Sequence, residues 1–152
     1  MSEHLACFPV VVEQAVVWGE MDANLHVNNA VYFRYFENGR LEYFRRMDWL
    51  DFEKETGIGP ILHSIGARFR RALTYPDTIL IGVRVASLTD DRFTFEHRIV
   101  SKASGEVVTE GEGLIVAFHY ERGEKVPMPA ELVRRIEALE GRSIPAAAPG
   151  RR

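Results

Sequence analysis

Between Trp18 and Arg40 (WGEMDANLHVNNAVYFRYFENGR) the chain gathers a carboxylate, an imidazole and two carboxamides: Asp22, His26, Asn28 and Asn29. A loop carboxylate can take a proton from water or attack an electrophilic carbonyl directly. Asn28 and Asn29 stand where a helix begins, either of them suited to cap it. A helix N-terminus presents unpaired backbone N–H groups and partial positive charge, which favour a developing oxyanion. Acid–base chemistry and an oxyanion donor are thus placed at one loop–helix junction. The same residue types also build ordinary turns and caps, and from the residues alone that is their commoner role. His26 suits two tasks equally: orienting Asp22 or a water, or closing the loop by a hydrogen bond. Asn28 reads as structural before catalytic.

Other groups are candidates by charge. Glu37 is a second carboxylate, and its spacing from Arg40 fits an intrahelical ion pair. Arg68, Arg70 and Arg71 are the densest basic group, and alternation puts Arg68 and Arg70 on one strand face. Arginine forks match phosphate oxygens, although a solvated strand face explains each one as well. Arg92 and Arg98 are further candidates of the same kind. His63, His97 and His119 fall on separate predicted strands without ligand spacing, so no metal site is expected.

These residues need elements to hold them. Phe8–Trp18, rich in valine, reads as a strand, and Gly19–Asn28 as a loop with turn chemistry. From Asn29 to Arg46 apolar residues recur at steps of three and four (Tyr32, Tyr35, Phe36, Gly39, Tyr43), the signature of a helix. Val31, Phe33, Leu41 and Phe44 widen its apolar surface, which predicts a helix enclosed by other structure. Gly39 suits a close approach of another backbone. Asp48–Gly59 reads as a turn-rich connection. Four strands follow, Ile61–Leu73, Thr78–Leu88, Arg92–Ser101 and Val107–Tyr120, joined at Asp90-Asp91 and Ser104-Gly105 by hairpin turns. Pro129–Glu140 is a short amphipathic helix. The order is α+β: one long helix against an antiparallel meander. Val83, Val85, Phe93, Phe95 and Ile115 are expected to divide between the two sheet faces, so that a symmetric second copy would cover the far one.

The run Asp22-x3-His26-Val27-Asn28-Asn29-x2-Tyr32-x3-Phe36-Glu37-x2-Arg40, followed by Ala67–Arg71 and Tyr75-Pro76-Asp77, resembles the acyl-CoA thioesterases of the hotdog superfamily, the group that includes 4-hydroxybenzoyl-CoA thioesterase. The resemblance extends from about Phe8 to Tyr120. It implies a hotdog fold, a long central helix wrapped by a five-stranded antiparallel sheet. It implies homodimers or homotetramers whose sheets join and whose active sites lie between protomers. By position in the motif, Asp22 is the catalytic carboxylate, nucleophile or general base, and the Asn29 N–H polarises the thioester carbonyl. His26 is a catalytic auxiliary. Asn28, Tyr32, Glu37, Arg68, Arg70 and Arg71 are expected to contact substrate, with Glu37 the second choice for the reacting carboxylate. The His-Val-Asn-Asn sequence resembles the general acyl-CoA branch more than the hydroxybenzoyl enzymes. No cofactor is implied, since coenzyme A belongs to the substrate. A non-catalytic acyl-thioester binding module, an acyl-carrier-protein thioesterase and a dehydratase are the alternatives; the dehydratase needs a catalytic histidine arrangement that this loop does not have.

Bulk properties set limits. The 152 residues fit one domain, expected over 1–141, with 142–152 a flexible tail. A net charge of −3 offers no general attraction to nucleic acid or anionic lipid, so an anionic substrate must be met by local arginines. No run approaches the roughly 18 apolar residues of a membrane span, and no signal peptide is read at the N-terminus. The one cysteine, Cys7, excludes an intrachain disulfide and agrees with a reducing cytoplasm.

Overall fold

A computed structural model describes residues 2–146. Its elements are β1 (Val10–Ala15), α1 (Asn29–Arg46), α2 (Trp49–Thr56), β2 (Ile58–Phe69), β3 (Thr78–Leu88), β4 (Arg92–Ser101), β5 (Val107–His119), β6 (Glu124–Lys125) and α3 (Ala130–Glu140). Every strand pairing is antiparallel, in the order β1-β3-β4-β5-β2, with the two-residue β6 beside β5. The sheet curls around α1, the architecture that the family resemblance implies.

α1 forms where the three- and four-residue spacing places it. Asn28 is its cap: Oδ1 accepts the Ala30 N–H at 2.9 Å. Tyr32, Tyr35, Phe36, Gly39 and Tyr43 face the sheet and are buried. A Cβ on Gly39 would lie 2.5 Å from Val83 Cγ2 and 2.9 Å from Ile81 Cγ2, so glycine lets helix and β3 meet almost backbone to side chain.

Three expectations are corrected. The connection after α1 contains a helix, α2. Asp48 (φ 54°) and Gly57 (φ 78°), which read as turn residues, bracket it. Trp49 anchors it, fully buried, with its indole N–H donating to Ile58 O at 3.1 Å. Secondly, Val83, Val85, Phe93, Phe95 and Ile115 do not divide between faces. All are buried in one cluster with α1, because residues two apart on a strand share a side. The opposite face is instead polar, with Arg84–Glu96 and Arg98–Glu110 pairs at 2.8 and 3.0 Å, and is partly covered by Leu5 and Phe8. Thirdly, residues 142–146 run back along β3: Arg142 donates to Val85 O, and Pro145 O accepts from Leu88 N. The rest of the expected tail, 147–152, lies outside the described residues.

Candidate active site

The loop before α1 is held by its backbone and by one residue the sequence reading passed over, Glu20. Its Oε1 accepts from Val17 N (2.8 Å) and from the Tyr35 hydroxyl (2.7 Å), and its carbonyl accepts from Asn28 N (2.9 Å). The signal for it was local: a carboxylate three residues after Val17, placed to cap the single 3-10 turn Trp18–Glu20. Met21 and Val27 form an antiparallel bridge, and Val27, buried, donates to Leu73 O. Between them Asp22 N donates to His26 O at 2.8 Å, and Leu25 closes the turn at φ 63°. Asp22 Oδ1 accepts the Asn24 N–H at 2.9 Å, which fixes the carboxylate and leaves its other oxygen available.

Asp22, His26, Asn29, Tyr32, Arg70 and Arg71 line one cleft of about 310 Å3. Because Asn28 caps Ala30 N and its carbonyl binds Val31 N, the Asn29 N–H has no acceptor among the described residues. It stands at the positive end of α1. Tyr32 is nearly buried, its ring edge-on to Phe69 at 5.1 Å and to Tyr35 at 5.8 Å. Burial, with the nearby Asp22 charge, pushes its pKa up against the opposing effect of the Leu73 backbone, so the hydroxyl stays protonated. The His26 imidazole is exposed and makes no hydrogen bond among the described residues; its backbone carbonyl performs the loop closure.

The three arginines separate. Arg70 N and Arg71 N both donate to Val108 O where β2 ends, and this break in alternation brings both residues to the cleft. Arg70 also binds Glu110 at 2.9 Å, and Arg71 lies 3.9 Å from Glu106. Arg68 points to the outer sheet face, in a recess of about 520 Å3 that it shares with Arg70, Arg98 and Glu110. Arg92 is paired with Asp91 instead.

Glu37 does not line the Asp22 cleft. Its expected partner is also corrected: Glu37 pairs with Arg34 at 3.1 Å, while Arg40 turns inward and donates to His97 Nε2 at 3.3 Å. Arginine's longer stem reaches across the sheet-facing side of α1, whereas Glu37 remains at the surface. His97 is buried, and burial followed by the Arg40 charge pushes its pKa down to about 3. Among the described residues no group of three or more metal-ligating side chains converges.

Residues 16–136 match the model of the thioesterase-like superfamily. A thioesterase from Thermus thermophilus, solved with coenzyme A and zinc, is 33% identical with a TM-score of 0.79, covering 91% of this chain and 99% of that one. A protein of Aquifex aeolicus (strain VF5) with a provisional esterase name is 26% identical over 117 residues, 72% of this chain and 91% of its own. The DHNA-CoA thioesterase of Staphylococcus aureus is 19% identical with a TM-score of 0.75, covering 91% of this chain and 98% of that one, a likeness of fold.

Proposed function

Since this chain belongs to the thioesterase-like superfamily, we propose that it hydrolyses an acyl-CoA to the free acid and coenzyme A in the cleft headed by Asp22. The observation that carries this reading is the meeting of two groups in one cleft: a carboxylate with one oxygen uncommitted, and an Asn29 N–H without an acceptor, among the described residues. The thioester carbonyl oxygen accepts from the Asn29 N–H. As the carbon becomes tetrahedral, the charge growing on that oxygen meets the positive end of α1. Asp22 either takes a proton from the attacking water or attacks the carbonyl carbon to form an anhydride that water then opens. In both routes the carbon–sulfur bond breaks and the thiol leaves with a proton. Tyr32, held protonated, can donate to substrate or water, and His26 lies beside the mouth to take part in proton transfer. Arg70 and Arg71 at the rim, with Arg68 around the edge, meet the phosphates. Coenzyme A bound to the Thermus relative supports this choice of thiol carrier.

No helix among the described residues is long and apolar enough to cross a membrane; with one cysteine, the cytoplasm is the compartment proposed. The unpaired edge of β2 and the exposed Phe69 beside the cleft support assembly as a homodimer or homotetramer with the site completed by the second copy.

Thiol release from a panel of acyl-CoAs, measured for the parent and Asp22→Asn, tests the proposal. The substitution should lower kcat by about a thousandfold and leave KM within a few fold. Binding of acyl-CoA by both proteins without thiol release would leave a binding module. Single turnover in H2 18O with hydroxylamine trapping separates the routes: label in the Asp22 carboxylate, or a hydroxamate formed at Asp22, marks the anhydride, and label in the product alone with no trapped anhydride marks direct attack by water.

A further inference from the structure

The loop that carries Asp22 into the cleft holds a conformation that its own packing does not secure. Leu25 stands at φ 63°, a left-handed backbone that a bulky side chain adopts only at a cost. Its side chain is 68% exposed, so burial does not offset that cost. The 3-10 turn Trp18–Glu20 buries none of its side chains, and Trp18 is 70% exposed. The two stems of the loop are tied to the chain beside them, Val16 N to Asp77 O at 2.9 Å and Val27 N to Leu73 O at 2.8 Å. A strained segment persists only where its surroundings over-determine it. Between the stems, hydrogen bonds supply that constraint, and they meet at Glu20.

Glu20 Oε1 accepts two donors, the Val17 N–H at 2.8 Å and the Tyr35 hydroxyl at 2.7 Å, and its backbone carbonyl accepts the Asn28 N–H at 2.9 Å. Tyr35 lies in the second turn of α1, fully buried, its ring edge-on to Tyr32 at 5.8 Å. Burial, and then the bond to Glu20, push its pKa far up, so the hydroxyl remains the donor. Glu20 is thus bound both to the body of α1 and to the residue that caps it. Asp22 follows Glu20 by two residues, and Asn29 follows Asn28 directly. The carboxylate and the N–H donor of the cleft are therefore both referred to one fixed point.

We infer that Glu20 and Tyr35 are positioning residues: their hydrogen bond sets the separation between the Asp22 carboxylate and the Asn29 N–H, and holds it against the strain at Leu25. Neither side chain lines the cleft; both act through the two groups that do. A misplacement of about 1 Å can slow a reaction by roughly a hundredfold. Loss of this bond is therefore felt in turnover before it is felt in binding. The kinetic consequence rests on the hydrolysis reading above; the geometric one does not.

Thiol release and amide hydrogen exchange on the full chain test it together. Tyr35→Phe removes one oxygen and keeps the ring. It should lower kcat by about tenfold with KM within a few fold, since the interaction lost belongs to the transition state. Glu20→Ala should do at least as much, and the double variant should be no slower than Glu20→Ala, because both break one bond. Glu20→Gln keeps a carbonyl oxygen for both donors and should hold kcat within a few fold of the parent. Leu25→Asn suits the left-handed backbone and should recover most of the rate lost in Tyr35→Phe, a rescue that a tyrosine serving only the core would not show. The Asn28 amide should exchange about tenfold faster in Tyr35→Phe, with amides in the middle of α1 unchanged. Should Glu20→Ala fail to fold, Tyr35→Phe, Glu20→Gln and the exchange rates carry the test. Parent kcat in Tyr35→Phe, or no recovery with Leu25→Asn, overturns the positioning role. A parent that releases no thiol overturns the hydrolysis reading instead. Asn28 exchange then decides alone: faster in Tyr35→Phe supports the inference, and unchanged overturns it.

Discussion

Asn28 contributes through one hydrogen bond, its Oδ1 to Ala30 N, and through the position this gives the next residue's N–H. Asn28→Ala should lower stability by about 1 kcal/mol, roughly 2–4 °C in Tm. It should also lower kcat by about tenfold, since the unpaired Asn29 N–H is no longer fixed. Asn28→Asp or Asn28→Ser, which also cap, should restore both; thermal unfolding and thiol release on the same samples check this. The sequence exposed this role because caps are local chemistry. It could not expose His97, which lies far along the chain from Arg40. With its pKa pushed down to about 3, His97 remains neutral in the folded state while an unfolded histidine gains a proton below pH about 6.5. Its contribution is therefore complete above pH about 6.5 and is lost as pH falls toward 3, at up to roughly 1.4 kcal/mol per pH unit. Urea unfolding between pH 7 and 4 should show a shallower decline for His97→Gln than for the parent; parallel curves would refute the assignment.

At the scale of elements, the contact between α1 and β3 is set by Gly39. Alanine there gains about 1 kcal/mol of helix propensity, but its Cβ meets Val83 and Ile81. Overpacking of this kind costs about 1–3 kcal/mol, so Gly39→Ala should be destabilising on balance, by up to about 2 kcal/mol, in denaturant titration. Gly66→Ala, with nothing within 4 Å of the added carbon, is the control and should not destabilise comparably. The sequence showed α1, β3 and β4 with the bounds they have, because their periodicity runs uninterrupted between clear turns. It concealed α2, since an eight-residue helix flanked by Asp48 and Gly57 has too few turns to display a period. What holds α2 is tertiary: Trp49 reaches Ile58 of β2 and packs on Phe44 and Phe93, and Phe52 lies under Arg135 of α3, contacts that no local pattern announces.

At the scale of the whole molecule, the proposed sharing of the site between protomers would make activity depend on concentration. Specific activity should fall when the enzyme is diluted below its dimer dissociation constant, and Tm should rise with protein concentration. Constant specific activity through the dissociation range would mean that one chain completes its own site. The inner sheet face requires no second copy, since Val83, Val85, Phe93, Phe95 and Ile115 are all covered by this chain's own helix. The surface that invites one is the edge strand β2.

By itself the sequence determined the fold class, the loop that bears Asp22 and the cap that starts α1, because these depend on short-range periodicity, turn chemistry and backbone capping. Only the tertiary structure decided which candidates share a cleft. Asp22, His26, Asn29, Tyr32, Arg70 and Arg71 converge there, while Glu37 and Arg68 face elsewhere. It also turned Arg40 from Glu37 to His97 and made Glu20 the peg of the loop. The reason is physical: a charged side chain takes the partner that folding brings within reach, and the curl of the sheet and the break at the end of β2 set that distance.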